Sequence, residues 1–317
     1  MAAPVVAGNT HLDDVIVVPR TRGWRRLMDD LRLARDLRAR RFDAAIDLHG
    51  GPRSSWLTWA SRAPVRVGYD VPGRTWMYTH VAHRPRVLRP RHSVENQWDL
   101  LQAMDTGFAS PDPALDRVEM PAEPDARDAL DRRLRGLGVP LEAQLVVLHV
   151  SAGNPFRRWP EASFSALAAG VIQSRAHRWV ILTAGPSDRD AAARVLAATR
   201  AQVGAAADRV IDGEGLTLTE LRALMDRAAL FVGGDSGPLH MAATSDVPVV
   251  GLYGPTLKER SAPWRPREIP TISIDGGELP CRPCEQHVCV PGDFRCLSGI
   301  PASRVLEAAQ QLLESPR

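Results

Sequence analysis

Phe231-Val-Gly-Gly-Asp-Ser-Gly-Pro-Leu-His-Met-Ala-Ala243 is the stretch on which the reading of this chain turns. The apolar run Ala228 to Val232 has the character of a buried strand, and it stops at two glycines. Asp235 and Ser236 follow, and then an Ala-rich apolar run that reads as a helix. Ser236 is a natural N-cap, and Pro238 suits the first turn, where its missing N–H would be unpaired anyway. Strand, glycine loop and helix start together make an anion site, because free backbone N–H groups and the positive dipole end face the ligand. The spacing GGDSGP fits neither G-x-G-x-x-G nor a Walker A loop, so a nicotinamide cofactor is not indicated. The segment therefore reads as the site of a phosphate-bearing ligand, with a purely structural strand-to-helix turn as the alternative.

Outward from this stretch the chain alternates. Strands are expected at Leu145–Val150, Trp179–Ala184, Arg209–Ile211, Leu230–Gly233 and Val247–Tyr253. Helices are expected at Glu161–Gln173, Asp188–Thr199, Thr219–Arg227 and Leu239–Thr244, with N-cap chemistry from Thr217, Thr219 and Glu220. Such alternation predicts a parallel sheet with helices on both faces, and ligands at the carboxyl ends of its strands. Three loops converge there. In His149-Val-Ser-Ala-Gly-Asn-Pro-Phe-Arg-Arg-Trp-Pro160, Ser151 lies in the polar turn and Arg157 or Arg158 offers a planar fork for phosphate oxygens. The alternative is two surface arginines with Trp159 packing at the helix start. In Ala184-Gly-Pro-Ser-Asp-Arg189, Ser187 or Asp188 either bonds a ribose hydroxyl or caps the next helix. In the opening loop, Gly234, Ser236 and Gly237 approach the ligand by backbone and Asp235 is best placed to hold sugar hydroxyls. His240 follows one turn into the helix, as a ligand or as a structural histidine.

The N-terminal block is also α/β. It shows a short strand at Val15–Val18, an amphipathic helix at Trp24–Arg40, a buried strand at Ala44–Leu48, and a helix through Trp56 and Trp59. A strand at Val65–Tyr69 and a helix at His92–Met104 follow, and Ser110 to Pro124 reads as the linker. Domain boundaries are thus expected at 1–124, 125–300 and a C-terminal helix at 301–317. With 317 residues, 44% hydrophobic, 24% charged and a net charge of +3, the chain is globular and not a strongly basic nucleic-acid reader. Arg20, Arg22, Arg25, Arg26, Arg32, Arg35, Arg38, Arg40 and Arg41 form a solvated helix face or a contact for an anionic substrate or membrane surface. No signal-peptide pattern or membrane-spanning run is present in the sequence, which suggests a cytoplasmic protein.

All four cysteines fall in one run, Cys281-x2-Cys284-x4-Cys289-x6-Cys296. Such clustered thiols could close a structural Zn²⁺ or hold an Fe–S cluster, and the even count also permits local disulfides or plain packing. No cofactor is otherwise required.

Taken together, Gly234-Asp-Ser-Gly-Pro-Leu-His-Met-Ala-Ala243 and Pro248-Val-Val-Gly-Leu-Tyr-Gly-Pro-Thr256 resemble the donor-site signature of glycosyltransferase family 9, which includes the ADP-heptose:lipopolysaccharide heptosyltransferases. Arg157-Arg-Trp-Pro160, Ile46-Asp-Leu-His-Gly50 with Arg53-Ser54, Arg66-Val-Gly-Tyr69, His92-Ser-Val-Glu95 and the Cys281-x-Pro-Cys284 tail resemble further family segments. The resemblance implies a GT-B architecture of two Rossmann-like domains facing a cleft, the N-terminal one incomplete. It also implies an inverting transfer from a nucleotide-diphosphate heptose to a glycolipid acceptor, at the inner face of the inner membrane with peripheral membrane contact and no nucleic acid. Arg157 takes the place of a phosphate-binding lysine in that pattern. The family's opening strand and Gly-Asp loop, which carries the catalytic Asp, have no counterpart ahead of Asn9 and are expected upstream of Met1. Asp13 and Asp14 do not lie in such a loop, so His49 and Asp47 remain as weak catalytic candidates. A late-placed start codon, a binding remnant of the family and a GT-B-like epimerase are the alternatives.

Overall fold

Along Gln144–His149, successive side chains alternate between two apolar environments, Leu145 and Val147 in one, Val146 and Leu148 in the other. A strand apolar on both faces needs a helical layer on each side, and both layers are present. The computed structural model describes residues 3–18, 21–83, 91–105, 107–150 and 154–315. It divides into two compact units, Ile16–Asp112 and the pairing of Met1–Val15 with Pro113–Arg317. The division differs in detail from the boundaries read in the sequence: the N-terminal segment, with α1 (Ala3–Val6), joins the larger unit, as does the C-terminal helix.

The smaller unit contains α2 (Gly23–Ala39), β1 (Ala44–Ile46), α3 (Pro52–Ala60), β2 (Val65–Tyr69), β3 (His80–Ala82) and α4 (Ser93–Met104). Its strands are parallel in the order β1-β2-β3, with Ala44 opposite Val65 and Val67 opposite His80. Its core is small, built on Val67, Tyr69, Ala82 and Leu100. Helix α4 is capped from both sides: Glu95 accepts from His92 N–H at 2.8 Å while the His92 ring accepts from Val94 N–H at 3.1 Å. Two expectations are corrected here. Val15–Val18 forms no strand, because nothing among the described residues pairs with it. Ala44–Ile46 is a strand but not a buried one, since β1 pairs with β2 alone among the described residues and Ile46 is exposed.

The larger unit runs α5 (Pro124–Gly136), β4 (Gln144–His149), α6 (Glu161–Ser174), β5 (Arg178–Thr183), α7 (Arg189–Val203), β6 (Val210–Asp212) and α8 (Leu218–Arg227). It continues with β7 (Leu230–Gly234), α9 (Gly237–Ala242), β8 (Val249–Tyr253), α10 (Lys258–Ser261), β9 (Thr271–Asp275), α11 (Arg295–Ser298) and α12 (Ala302–Glu314). Six parallel strands lie in the order β6-β5-β4-β7-β8-β9. The chain works outward from β4 to β6, then returns to start again at β7 on β4's other side. That order is 3-2-1-4-5-6 within the unit, the doubly wound Rossmann arrangement, and β4 and β7 flank its switch point. One face is covered by a cluster that includes Phe164, Ile172, Val195 and Leu312, from α6, α7 and α12; the other by Leu130, Leu221 and Leu239, from α5, α8 and α9. The expected cap of α8 is present: Thr217 Oγ1 accepts from Glu220 N–H at 3.1 Å and Glu220 accepts from Thr217 N–H at 2.8 Å.

Candidate functional site

The loops after β4, β7 and β8 meet at the switch point through one carboxylate. Asp235, the residue after β7, is buried, with only 5% of its side chain exposed. Its Oδ2 accepts from Arg157 Nη1 at 3.1 Å and from Thr256 Oγ1 at 2.7 Å, and its Oδ1 lies 3.4 Å from His240 Nε2. Burial alone would raise the pKa of Asp235. The bonds from His240 and Thr256 and the charge of Arg157 outweigh it and hold the carboxyl below its ordinary value. Arg157 is further fixed: Nη1 also donates to the Asp235 carbonyl at 3.2 Å, and Nε donates to Gln286 Oε1 at 2.8 Å. Gly234 lets this happen, for a Cβ there would lie 3.1 Å from the Arg157 carbonyl.

Sequence reading gave Asp235 to sugar hydroxyls and Arg157 to phosphate; the structure joins the two. Asp235 orients an arginine, a threonine and a histidine around the start of α9, where first-turn N–H groups have no intrahelical partner. Pro238 takes the first turn as expected. Ser236 occupies the N-cap position but makes no capping bond; its hydroxyl turns back to donate to Gly234 O at 3.1 Å. Gly237 is open, with nothing within 4 Å of where a Cβ would stand. Ser151 lies outside the described residues, as does Arg20.

On the β5 side, Arg158 Nη2 meets Asp188 Oδ1 at 2.7 Å and Ser187 Oγ donates to Asp188 Oδ2 at 2.8 Å. The expected capping of α7 by Asp188 or Ser187 is therefore corrected: these bonds replace it, and no side-chain cap forms. Arg158, Ser187, Asp188, Trp159 and Arg194 line a cavity of about 510 Å³ at the ends of β4 and β5. Trp159 is the packing residue anticipated for the helix start, edge-on to Phe164 at 4.9 Å and bonded to Ile300 O at 3.0 Å. His149, the last residue of β4, is buried and shares 3.0 Å with Thr183 Oγ1. Desolvation pushes its pKa down to about 4, against the opposing pull of Asp188, so the ring is neutral at pH 7.

In the smaller unit the loop after β1 is tied by Asp47. Its Oδ1 accepts from His49 N–H at 3.0 Å and Gly50 N–H at 2.9 Å. Its Oδ2 accepts from the hydroxyls of Tyr78 at 2.6 Å, Ser54 at 3.0 Å and Ser55 at 3.2 Å. Burial would raise this carboxyl, but the Tyr78, Gly50, Ser54 and His49 bonds bring it below its ordinary value. A carboxylate buried under five donors is built to hold a loop rather than to take up a proton. His49, the other candidate, is exposed.

Thr256, Gln286, His149 and Asn154, whose Nδ2 donates to Gln286 Oε1 at 2.8 Å, join the candidate site without an individual role read from the sequence. Thr256 and His149 stand at or just beyond strand ends, a usable signal. Gln286 lies far along the chain with no periodicity around it and left none.

A family model described as glycosyltransferase family 9 (heptosyltransferase) matches residues 30–291. The chain is 27% identical to the lipopolysaccharide heptosyltransferase 3 of Escherichia coli over 98% of its own length and 88% of that protein. Its fold is similar to that of the E. coli ADP-heptose lipopolysaccharide heptosyltransferase II, with a TM-score of 0.75, 21% identity and coverage of 98% and 86%. A glycosyltransferase family 9 structure from Veillonella parvula superposes with a TM-score of 0.77 at 22% identity, covering 98% and 85%. With the match spanning most of its length, the chain belongs to glycosyltransferase family 9, the heptosyltransferase family; it is an α/β enzyme of GT-B fold.

Proposed function

We propose that this protein transfers a heptose from ADP-heptose, with inversion at the anomeric carbon, to a sugar of the lipopolysaccharide core. The observation that carries this reading is the Arg157–Asp235 pair at the switch point of a Rossmann sheet, in a chain of this family. In the reaction an acceptor hydroxyl gives its proton to a base while its oxygen bonds the anomeric carbon. The bond from that carbon to the diphosphate breaks, and ADP departs with the electron pair. Arg157 and the backbone N–H groups at Ser236–Gly237 meet the charge growing on the leaving phosphate, where preorganised donors matter most. Asp235 acts as a positioning residue that keeps Arg157, His240 and Thr256 in place. Ser187 and Asp188 serve the nucleoside end, in the cavity beside Arg158, and Ser151 is assigned to the same end from its place in the sequence alone. Of the two base candidates, His49 suits the part better than Asp47.

On this reading the protein works at the cytoplasmic face of the inner membrane, in peripheral contact with it. Helix α2 supports peripheral contact: Trp24, Leu27 and Leu31 are exposed at helical spacing beside Arg25, Arg26, Arg32 and Arg35. No helix among the described residues is long and apolar enough to cross a membrane.

The test is transfer from ADP-heptose to heptose-deficient lipopolysaccharide, read as the mass gain of one heptose. Arg157→Ala should lower kcat/KM by roughly 10²-fold or more. Turnover of another nucleotide sugar with none of ADP-heptose defeats the heptose assignment. ADP binding without transfer from any donor favours the second reading, a nucleotide-sugar-binding protein, to which the full engagement of Asp47 lends some support.

A further inference from the structure

The loop that follows β9 reaches back to the switch point through one side chain, that of Gln286. The loop is tied down where it passes. Cys284 N–H donates to Pro255 O at 3.3 Å, and Arg282 Nη2 donates at 3.1 Å to the carbonyl of Thr256, whose hydroxyl bonds Asp235. Phe294 packs edge-on at 5.3 Å against Phe156, the neighbour of Arg157. The four cysteines of the loop border a small cavity, but among the described residues no three side chains meet as metal ligands. The Zn²⁺ or Fe–S centre expected from their spacing therefore finds no ligand set there. Gln286 itself is held in the left-handed region at φ 61°, a conformation that costs a residue other than glycine and that recurs at ligand clamps.

The neighbours of Gln286 fix which way its amide faces. Arg157 Nε can only donate, and it lies 2.8 Å from Oε1. Asn154 Oδ1 accepts from Phe156 N–H at 3.0 Å, so the Asn154 atom 2.8 Å from the same Gln286 oxygen is its Nδ2 donor. Two donors on one side require the carbonyl there, and the NH₂ group of Gln286 must take the other side. Among the described residues that group meets no acceptor, and Gln286 is only half-buried, so it stands open to a ligand. Arg157 is in the same condition: Nε and Nη1 are engaged, and among the described residues Nη2 is not. We propose that Gln286 is a ligand-binding residue of the nucleotide site, its Nε2–H donating to an oxygen of the diphosphate that Arg157 Nη2 also meets. A neutral amide adds N–H groups without drawing off the guanidinium charge, as a carboxylate in its place would, and that combination suits an anionic oxygen.

This contact rests on the reading of the switch point as a sugar-nucleotide site. Calorimetry on the full chain with ADP, and with adenosine as the ligand that lacks the diphosphate, tests it. Gln286→Ala should weaken ADP about tenfold and leave adenosine unchanged. The same substitution is then made beside Arg157→Lys, whose side chain no longer has the Nε bond to Gln286. A direct contact costs ADP about a further tenfold in that background, because the two losses are then separate. A residue that works only by bracing Arg157 costs nothing more there, and that result overturns the proposal. ADP affinity unmoved by Gln286→Ala overturns it too, as does an equal loss of adenosine, the mark of a displaced loop. No ADP binding by the unsubstituted protein defeats the nucleotide reading itself, and the contact with it.

Discussion

Arg157 donates Nε to Gln286 and Nη1 to Asp235, which, among the described residues, leaves the Nη2 side of its fork for a ligand. Lysine at this place would keep the charge but lose the fork and both anchoring bonds. We expect Arg157→Lys to weaken ADP binding about tenfold and Arg157→Ala up to about 150-fold, from the roughly 1.5–3 kcal/mol of a charged hydrogen bond; isothermal calorimetry reads both. His149 governs a different variable. Its folded pKa of about 4 lies below the ordinary 6.5, so between those values the unfolded chain binds a proton that the folded one refuses. Stability is full above pH 6.5 and falls by about 3 kcal/mol as pH drops toward 4. Asp235 and Asp47, both depressed, add a further loss only below their ordinary carboxylate range. His149→Asn should flatten the dependence of Tm between pH 6.5 and 4 while leaving the steeper acid limb. An unchanged slope in that window would show that another group titrates there.

At the level of elements, the loop after β1 is as much a product of β2 as of its own sequence. A Cβ on Gly68 would stand 2.2 Å from the Tyr78 ring, so only glycine lets Tyr78 reach Asp47 and Ser55. Gly68→Ala should destabilise the smaller unit by about 1–3 kcal/mol, read as a drop in its urea midpoint. Tyr78→Phe, which removes the hydroxyl alone, should cost about 1–3 kcal/mol by leaving a buried carboxylate oxygen short of a donor. The central strands were legible because continuous apolar runs such as Leu145–Leu148 and Leu230–Val232 can lie only between two layers. Among the elements not read, three show why. β3 is His80-Val-Ala, too short for any period to show. α5 carries its buried stripe Ala126, Leu130 and Leu134 inside a run of Arg and Asp that resembles a linker. β9, at the sheet edge, alternates strictly in Thr271-Ile-Ser-Ile-Asp275 but for only five residues, with no second strand beside it in sequence. The site divided the same way. Residues at strand ends could be placed on one rim from spacing alone. That Asp235 would bind Arg157, and that Gln286 would reach across from the cysteine loop, depended on tertiary contacts between residues far apart in sequence.

For the whole molecule, 40 basic against 37 acidic residues leave little net field, so attraction to anionic lipid must come from local arrangement. Helix α2 concentrates it. Vesicles containing anionic lipid should sediment the protein, shift Trp24 fluorescence to the blue and release it as salt rises. Trp24→Ser with Arg25→Glu and Arg26→Glu should leave it in the supernatant; binding unaffected by these changes would move the contact elsewhere. The two units also differ in what holds them. The larger has an apolar cluster on each face of a six-stranded sheet; the smaller has, among its described residues, one cluster around Val67, Tyr69, Ala82 and Leu100. Calorimetry should therefore resolve two transitions, with ADP raising only the upper one. If the larger unit holds the donor as proposed, mild heat would dissect the reaction without any substitution: between the transitions ADP binding should persist while heptose transfer is lost.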